Sequence, residues 1–415
     1  MVTILVYTQT QHHDNLSRTR SIYAEGCGGT ILSRWMGKYL IGVTGNIATG
    51  KTTVRKLLEH LGVYSFEIDM ITKRALSKEG PLYSKVAQNF GKWIFDERDR
   101  IQLDRLASLF FAEPTLKERL DSLVDPVIDY AVDVLVRNSR RNVIAIESRK
   151  LLDMELAAGC DSIWVITSRH DLQIQRLIMN RGFSESEARQ RVLIETPQAY
   201  LVRAANVVIE NSSNMMDAWE QVKEKWSQLP KPKEPVLSSR APTQLHGLTI
   251  RLGMPYDAAE IAHFITQTTL GKLQKSQTEV MRDFTEKSYI LIETEAEIVG
   301  VAGWRLDSLV CCVDEFYFDK ELEPDKVIPI VMRSIEDLAH EMLSEVIILI
   351  LPPYLAKISG AWIGMGYHAL SAQALPMGEW QDVALHWMRR GYLVRYKKCR
   401  ESPILKMSGG SNTGI

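Results

Sequence analysis

The segment GNIATGKT, residues 45–52, places two glycines, a lysine and a threonine at a spacing suited to holding phosphate. Glycine at both positions allows backbone angles that turn successive N–H groups toward one anion. Lys51 would contact the β- and γ-phosphates, and the Thr52 hydroxyl can ligate Mg²⁺. This pattern predicts an ATP site whose nucleotide-binding residues are Gly45, Asn46, Ile47, Ala48, Thr49, Gly50, Lys51, Thr52 and Thr53, with Thr52 as the metal ligand.

A candidate catalytic acid, Asp69, lies in the stretch FEIDMITKRAL, at the predicted end of the second strand. The carboxyl ends of parallel strands meet at one sheet edge, so a carboxylate there could bring a substrate hydroxyl in line with the γ-phosphate. The simpler interpretation is a helix cap for the residues that follow. Beside a phosphate loop we favour catalysis, with Asp69 and Lys51 as the catalytic residues.

The competing classes of phosphate-loop protein lack their usual marks in this chain. A GTPase would carry an Asn-Lys-x-Asp stretch, and none is present. A motor ATPase would show a strong apolar run that ends in an acidic pair, and this is also absent. A kinase is therefore the class that we favour.

The elements that must position these residues follow from the apolar pattern. Short apolar runs alternate with amphipathic stretches over residues 39–229, which predicts an α/β domain with a parallel sheet and helices on both faces. Residues 80–141 are helical in pattern throughout and are expected to form an inserted subdomain. The predicted strands are 39–43, 63–68, 142–147, 162–167 and 206–211.

The amino-acid composition predicts a linker and a second domain in the rest of the chain. The prolines of residues 230–245 predict an extended linker, after which residues 246–405 show strands and helices of a mixed α+β sheet. Residues 1–38 and 406–415 lack a regular pattern and are predicted to be a disordered extension and tail. Because residues 1–35 show no pattern that could bury surface, we expect a chain that starts at Met36 to fold and to bind nucleotide.

Charge and cysteine content limit the partners. The 415 residues carry a net charge of −1, so no overall field attracts nucleic acid or acidic membranes. The longest aliphatic run, VIILIL, has the length of a strand and cannot span a bilayer. The five cysteines have neither metal-ligand nor disulfide spacing, which favours reduced thiols in a cytoplasmic protein. They are Cys27, Cys160, Cys311, Cys312 and Cys399.

Several stretches together resemble the dephospho-CoA kinase family, in the order in which that family carries them. They are LIGVTGNIATGKTTV, FEIDMITKRAL, NFG, LDRLASLFF, LVDPVI, CDSIWVITSRHDLQIQRLIMNRGFSESEARQRV and AANVVIEN, within residues 39–229. The resemblance implies transfer of the ATP γ-phosphate to the ribose 3′-hydroxyl of dephospho-CoA. It also implies that residues 80–141 bind CoA and that residues 176–192 form a mobile lid. Arg181 of that lid would contact ATP, although a solvated charged face would also explain the lid's arginines.

The chain departs from the family's usual residues on the substrate side and in the lid. These departures leave open a different small-molecule kinase, or an ATP-binding sensor without catalysis. Glu67 stands for the first Asp of a pair, Asp125 for His, Arg149 for Pro, Glu195 for Gln, Leu201 for Lys and Asn206 for Asp.

The order of elements in residues 246–405 resembles a GNAT-type N-acetyltransferase, through LTIRLGMPYDAAEIAHFI, EIVGVAGWRL and WIGMGY. That fold holds acetyl-CoA pyrophosphate in a glycine-containing loop, but the matching stretch FDKELEPDK has no glycine. Its acids Asp319, Glu321, Glu323 and Asp325 would repel pyrophosphate. We therefore expect a degenerate module that binds a protein or an acyl-CoA, or that supports the kinase.

Overall fold

The computed structural model describes residues 34–97, 99–102, 114–230, 243–245, 247–295, 297–307, 309–402 and 404–405. The chain separates into two compact units. The first comprises residues 1–66 and 141–235, and the second comprises residues 67–140 and 236–415. Within the described ranges, no helix is long and apolar enough to cross a membrane.

The first sheet has five strands in the order β2-β3-β1-β4-β5. Strand β1 pairs in parallel with β3 and β4, and β4 pairs in parallel with β5. Every residue of β1 and β3 is buried, as expected for strands covered on both faces. The α/β prediction is confirmed, and each predicted strand lies within two residues of an observed one. The strands are β1 Tyr39–Thr44, β2 Tyr64–Glu67, β3 Val143–Glu147, β4 Ser162–Thr167 and β5 Val207–Glu210.

The described residues up to 230 contain eight helices. Helix α1 buries Val54, Leu57 and Leu58, which are spaced to share one helical face. The helices are α1 Lys51–His60, α2 Ile68–Leu76, α3 Tyr83–Phe90, α4 Pro114–Asn138, α5 His170–Arg181, α6 Glu185–Leu193, α7 Gln198–Ala204 and α8 Met215–Gln228.

Helices α3 and α4 fit the helical pattern expected between residues 80 and 141, and α2, which precedes that range, packs against both of them. All three lie in the second compact unit, with residues 236–415. The compact units thus divide the chain at other places than the domain boundaries proposed from the sequence.

The second unit contains an eight-stranded mixed sheet in the order β12-β13-β11-β10-β9-β8-β7-β6. Only the β10–β11 pair is parallel among the described pairings. The α+β prediction is confirmed. The strands are β6 Thr243–Leu245, β7 Leu248–Leu252, β8 Ser288–Glu293, β9 Ile298–Asp307, β10 Val310–Phe318, β11 Val346–Leu351, β12 His368–Ala369 and β13 Leu393–Lys398.

Two apolar clusters cover the two faces of this sheet. One contains Val331 and Ile335 of α11, and the other contains Val383 and Ala384 of α14. Two short helices, α12 and α13, follow β11. The helices are α9 Ala258–Thr268, α10 Gln277–Asp283, α11 Pro324–Glu341, α12 Pro353–Ala356, α13 Ser359–Gly364 and α14 Gly378–Trp387.

The residues just before β1 depart from the expected disordered extension. Trp35 is only 2% exposed, and the backbone N–H of Lys38 donates to its carbonyl at 3.1 Å. The Trp35 ring lies so close to Gly159 that an added Cβ there would be 3.2 Å from it. Residues 1–33 lie outside the described residues, so that part of the prediction stays open, as does the tail from residue 406.

We predict that Trp35→Ala lowers the free energy of unfolding by about 3 kcal/mol, because a buried indole is lost and a cavity remains. A chain that starts at Met36 lacks the same ring and should melt lower than one that starts at Arg34. Thermal unfolding followed by circular dichroism measures both effects. Equal melting temperatures for the two shortened chains would show that Trp35 contributes nothing to the core.

Candidate nucleotide-binding site

The loop between β1 and α1 requires glycine at both ends. Gly45 and Gly50 have φ angles of +150° and +94°, which side chains rarely tolerate. A Cβ on Gly45 would lie 2.3 Å from the carbonyl oxygen of Ile166, and one on Gly50 would lie 2.0 Å from Nδ2 of Asn211. Any larger residue would therefore clash as well as strain the backbone.

The carbonyl groups of this loop are held by side chains from later in the chain. Asn211, which is 5% exposed, donates from Nδ2 to the carbonyl of Thr49 at 2.8 Å. Arg176 donates to the carbonyls of Ala48 at 3.1 Å and Thr49 at 3.3 Å, and to that of Asn211 at 2.8 Å. Sequence reasoning placed Arg176 in the lid but missed this role.

Lys51 begins helix α1, and its ammonium donates to the carbonyl of Asn46 at 3.0 Å. Burial lowers the pKa of Lys51, while the carboxylates of Glu147 and Glu195 act in the opposite direction. The charges of Arg149 and Arg181 lower the pKa further. The lysine thus lies among both carboxylates and arginines, and its contact with phosphate stays a prediction.

Glu147 lies at the end of β3, where it is paired in register with Val43 of β1. Its side chain accepts from the Thr52 hydroxyl at 2.8 Å and from Nε of Arg55 at 2.7 Å. Sequence reasoning missed this residue. The available signal was an acid at the end of a fully buried strand, since such ends meet at the edge that carries the loop.

Two of the residues that depart from the family pattern contact each other beside the loop. Oε2 of Glu195 accepts from the backbone N–H of Ile47 at 3.1 Å. Arg149 donates from Nη1 to Oε1 of the same carboxylate at 3.3 Å. Glu195 is therefore the acceptor for a loop N–H group that the sequence assigned to phosphate.

The predicted lid consists of α5 and α6. Leu177, Ala188 and Val192 form a small cluster, against which Ile47 and Ala48 of the loop pack. Arg181 is the last residue of α5, directly before Gly182, whose φ is +68°. Its side chain is exposed, so the predicted contact with ATP stays a prediction.

Asp69 lies in the first turn of α2, in the second compact unit. Helix α2 begins at Ile68 with Glu67 in the N-cap position, so Asp69 is not the cap. Its carboxylate is exposed and forms no hydrogen bond or ion pair with the described part of the chain. Because β2 ends at Glu67, Asp69 lies in the helix that follows the strand and not, as had been expected, at the strand's end.

The second unit contains a cavity of about 520 Å³ that Asp314, Glu315 and Asp319 help to line. Asp314 is held by Arg305 at 2.9 Å, and Glu315 is held by Lys287 at 2.6 Å. Asp319 begins the stretch without glycine between β10 and α11. Lys320 and Arg389 also line the cavity, which therefore carries charges of both signs, and the expected repulsion of pyrophosphate stays a prediction.

The N-terminal part of the chain is similar to known proteins. The family described as "Dephospho-CoA kinase" matches residues 39–217. A dephospho-CoA kinase from Carboxydothermus hydrogenoformans is 31% identical over 186 residues, which cover 44% of this chain and 90% of that protein. One from Geobacter sulfurreducens is 26% identical over 45% of this chain and 97% of that protein.

A solved structure provides the comparison for the acetyltransferase-like order of elements. An acetyltransferase of the GNAT family from Staphylococcus aureus Mu50 aligns with 37% of this chain and 99% of its own, at 14% identity and a TM-score of 0.30. A likeness at this level assigns no activity.

Glu195→Gln should tighten ATP binding by about fivefold, because it removes a negative charge worth about 1 kcal/mol beside the incoming triphosphate. Glutamine can still accept from the N–H of Ile47. The matched control is Glu185→Gln, which removes an exposed lid carboxylate paired with Arg189. Calorimetric titration with ATP measures both. Weaker binding by the Glu195 variant would mean that its charge orders the loop rather than competing with phosphate.

Proposed function

The chain belongs to the dephospho-CoA kinase family, and we propose that it transfers the γ-phosphate of ATP to the ribose 3′-hydroxyl of dephospho-CoA. The observation that carries this proposal is the loop of residues 45–52, with its two constrained glycines and with Lys51 at the start of α1. Phosphoryl transfer relies on positioning and charge stabilisation, which such a loop supplies.

Residues present at the loop fit Mg²⁺. The Thr52 hydroxyl and the Glu147 carboxylate are 2.8 Å apart, and oxygen donors of this kind are the ligands that Mg²⁺ prefers. Thr52 would ligate the ion, and Glu147 would ligate it or orient its water. When bound, the ion neutralises charge on the β- and γ-phosphates. Arg55 holds the second oxygen of Glu147, which fixes the direction of the carboxylate.

We assign the roles of Asp69, Lys51 and Arg181 in the transfer from the family to which the chain belongs. Asp69 accepts the proton of the 3′-hydroxyl as its oxygen attacks the γ-phosphorus, the bond from that phosphorus to the bridging oxygen breaks, and ADP leaves. Lys51 stabilises the charge that develops on the phosphates, and Arg181 neutralises it from the lid. Residues 80–141, with helices α3 and α4, supply the CoA-binding surface. The C-terminal domain takes no part in the chemistry.

The test of this function is ADP release, measured by a coupled assay with dephospho-CoA, with a panel of nucleosides, and with no acceptor. We expect ADP and an equal amount of coenzyme A only with dephospho-CoA. Turnover on a nucleoside instead would identify a kinase whose acceptor has changed. ATP binding with no acceptor-dependent turnover would indicate a sensor.

Asp69→Asn should lower kcat by about a hundred- to ten-thousand-fold, the usual contribution of a general base, with little change in ATP affinity. Lys51→Ala should weaken both, since its cation contacts phosphate in the ground state and in the transition state. Steady-state kinetics and ATP titration separate the two effects.

Asp217→Asn is the matched control for Asp69, because Asp217 is also an exposed aspartate in the first turn of a helix, α8. It should leave kcat unchanged within about twofold. Turnover of the Asp69 variant at the control's level would assign activation of the hydroxyl to another group.

A further inference from the structure

Arg74 is a completely buried cation in the last turn of α2. Its guanidinium donates from Nη2 to Oε2 of Glu345 at 2.8 Å and from Nη1 to Oε2 of Glu379 at 2.6 Å. Nη2 also lies 3.4 Å from the sulfur of Met377. All three partners lie some 270 to 305 residues further along the chain, in the C-terminal domain.

Both carboxylates are fixed within that domain. Glu345 immediately precedes β11, and its N–H donates to the carbonyl of Leu309 at 2.7 Å. Its carbonyl accepts from the N–H of Cys399 at 2.8 Å, so its backbone bridges the ends of three strands. Glu379 lies in the first turn of α14. The guanidinium therefore binds the sheet and a helix of the C-terminal domain at once.

The buried charges of Arg74, Glu345 and Glu379 are tolerated because they are paired with one another. Burial raises the pKa of Glu379 to about 7, with Arg74 acting in the opposite direction. A buried arginine keeps its proton, so its removal would leave two neighbouring carboxylates without their cation. One planar fork shared between two carboxylates also fixes the rotation of α2 more closely than a single pair would.

The other face of α2 carries Asp69. Five residues separate Asp69 from Arg74, which on an α-helix corresponds to about 7.5 Å along the axis and about 140° around it. Arg74 is buried and Asp69 is exposed, so one face of the helix is held while the other is left accessible. A change at Arg74 can therefore move the Asp69 carboxylate without touching it.

We propose that the C-terminal domain acts as a positioning element for α2, with Arg74 as the positioning residue that orients Asp69. This inference rests on the proposed function in giving Asp69 its catalytic role. It assigns the C-terminal domain a task that needs no ligand, and it accounts for a buried ion pair formed between segments so far apart in sequence.

The kinetic test compares two buried arginines of the second compact unit. Arg74→Met keeps much of the side-chain volume and removes the fork. Arg305→Met removes an equally buried arginine, which binds Asp314 and has no contact with α2 among the described residues. Both variants should lose stability. We expect kcat to fall about ten- to a hundredfold only for Arg74→Met, with ATP affinity unchanged, because small misplacements of a catalytic group carry that effect.

Two milder variants serve where Arg74→Met does not fold. Arg74→Lys keeps the charge but not the fork and should recover part of kcat, and Glu379→Gln should lower kcat by a smaller factor. A kcat that falls equally for Arg305→Met, or that does not change in any Arg74 or Glu379 variant, overturns the inference.

Hydrogen exchange of α2 separates this inference from the proposed function. In the full chain, Arg74→Met or Glu379→Gln should speed exchange across residues 68–76, while Arg305→Met should not. If the wild-type protein releases no ADP with dephospho-CoA, the proposed function fails and exchange alone judges the positioning role. Unchanged exchange in α2 would overturn that role, whatever the activity.

Discussion

A phosphate loop must turn its N–H groups toward the ligand, and this constraint leaves its carbonyl groups facing the protein. Each such carbonyl needs a donor, because an unpaired buried polar group is costly. Here Asn211 and Arg176 supply these donors, and Asn211 lies at 2.0 Å from the position of a Cβ on Gly50. The glycine, the amide and the guanidinium thus form one arrangement, in which none can be replaced independently. The positions of β5 and α5 follow from the same need.

The charged side chains beside this loop are paired with one another and with loop groups that are predicted to contact phosphate. Glu195 occupies the N–H of Ile47, Arg149 neutralises Glu195, and Glu147 binds Thr52 and Arg55. Two departures from the family pattern thus form an ion pair with each other. An added carboxylate alone would repel the triphosphate, and an added arginine alone would bind it in the wrong place.

The sequence was sufficient to predict the features that depend on a local pattern of residues. The buried strands around Ile41 and Ile144 are continuous apolar runs, and the loop's glycines and Lys51 form a contiguous motif. The sequence did not reveal side chains that are buried by contacts with residues far away along the chain. Trp35 follows a stretch without pattern, Arg74 looks like any basic residue on a helix, and Arg176 resembles its solvated neighbours. Glu147 was within reach, because its strand had been predicted. Asp69 was expected at the end of β2, but β2 ends two residues earlier and Asp69 lies in α2.

The division into domains shows why order along the chain is a poor guide to units of folding. The proline-rich stretch after residue 229 indicates a boundary between two bodies, yet helices α2 to α4 belong to the same compact unit as the C-terminal sheet. Arg74 explains the cohesion physically. A paired buried arginine adds little net stability. Moving α2 away from the C-terminal sheet would nevertheless be costly, because it would leave buried charges without their partners. The C-terminal domain thus supplies both carboxylates that neutralise a buried charge of the kinase segment.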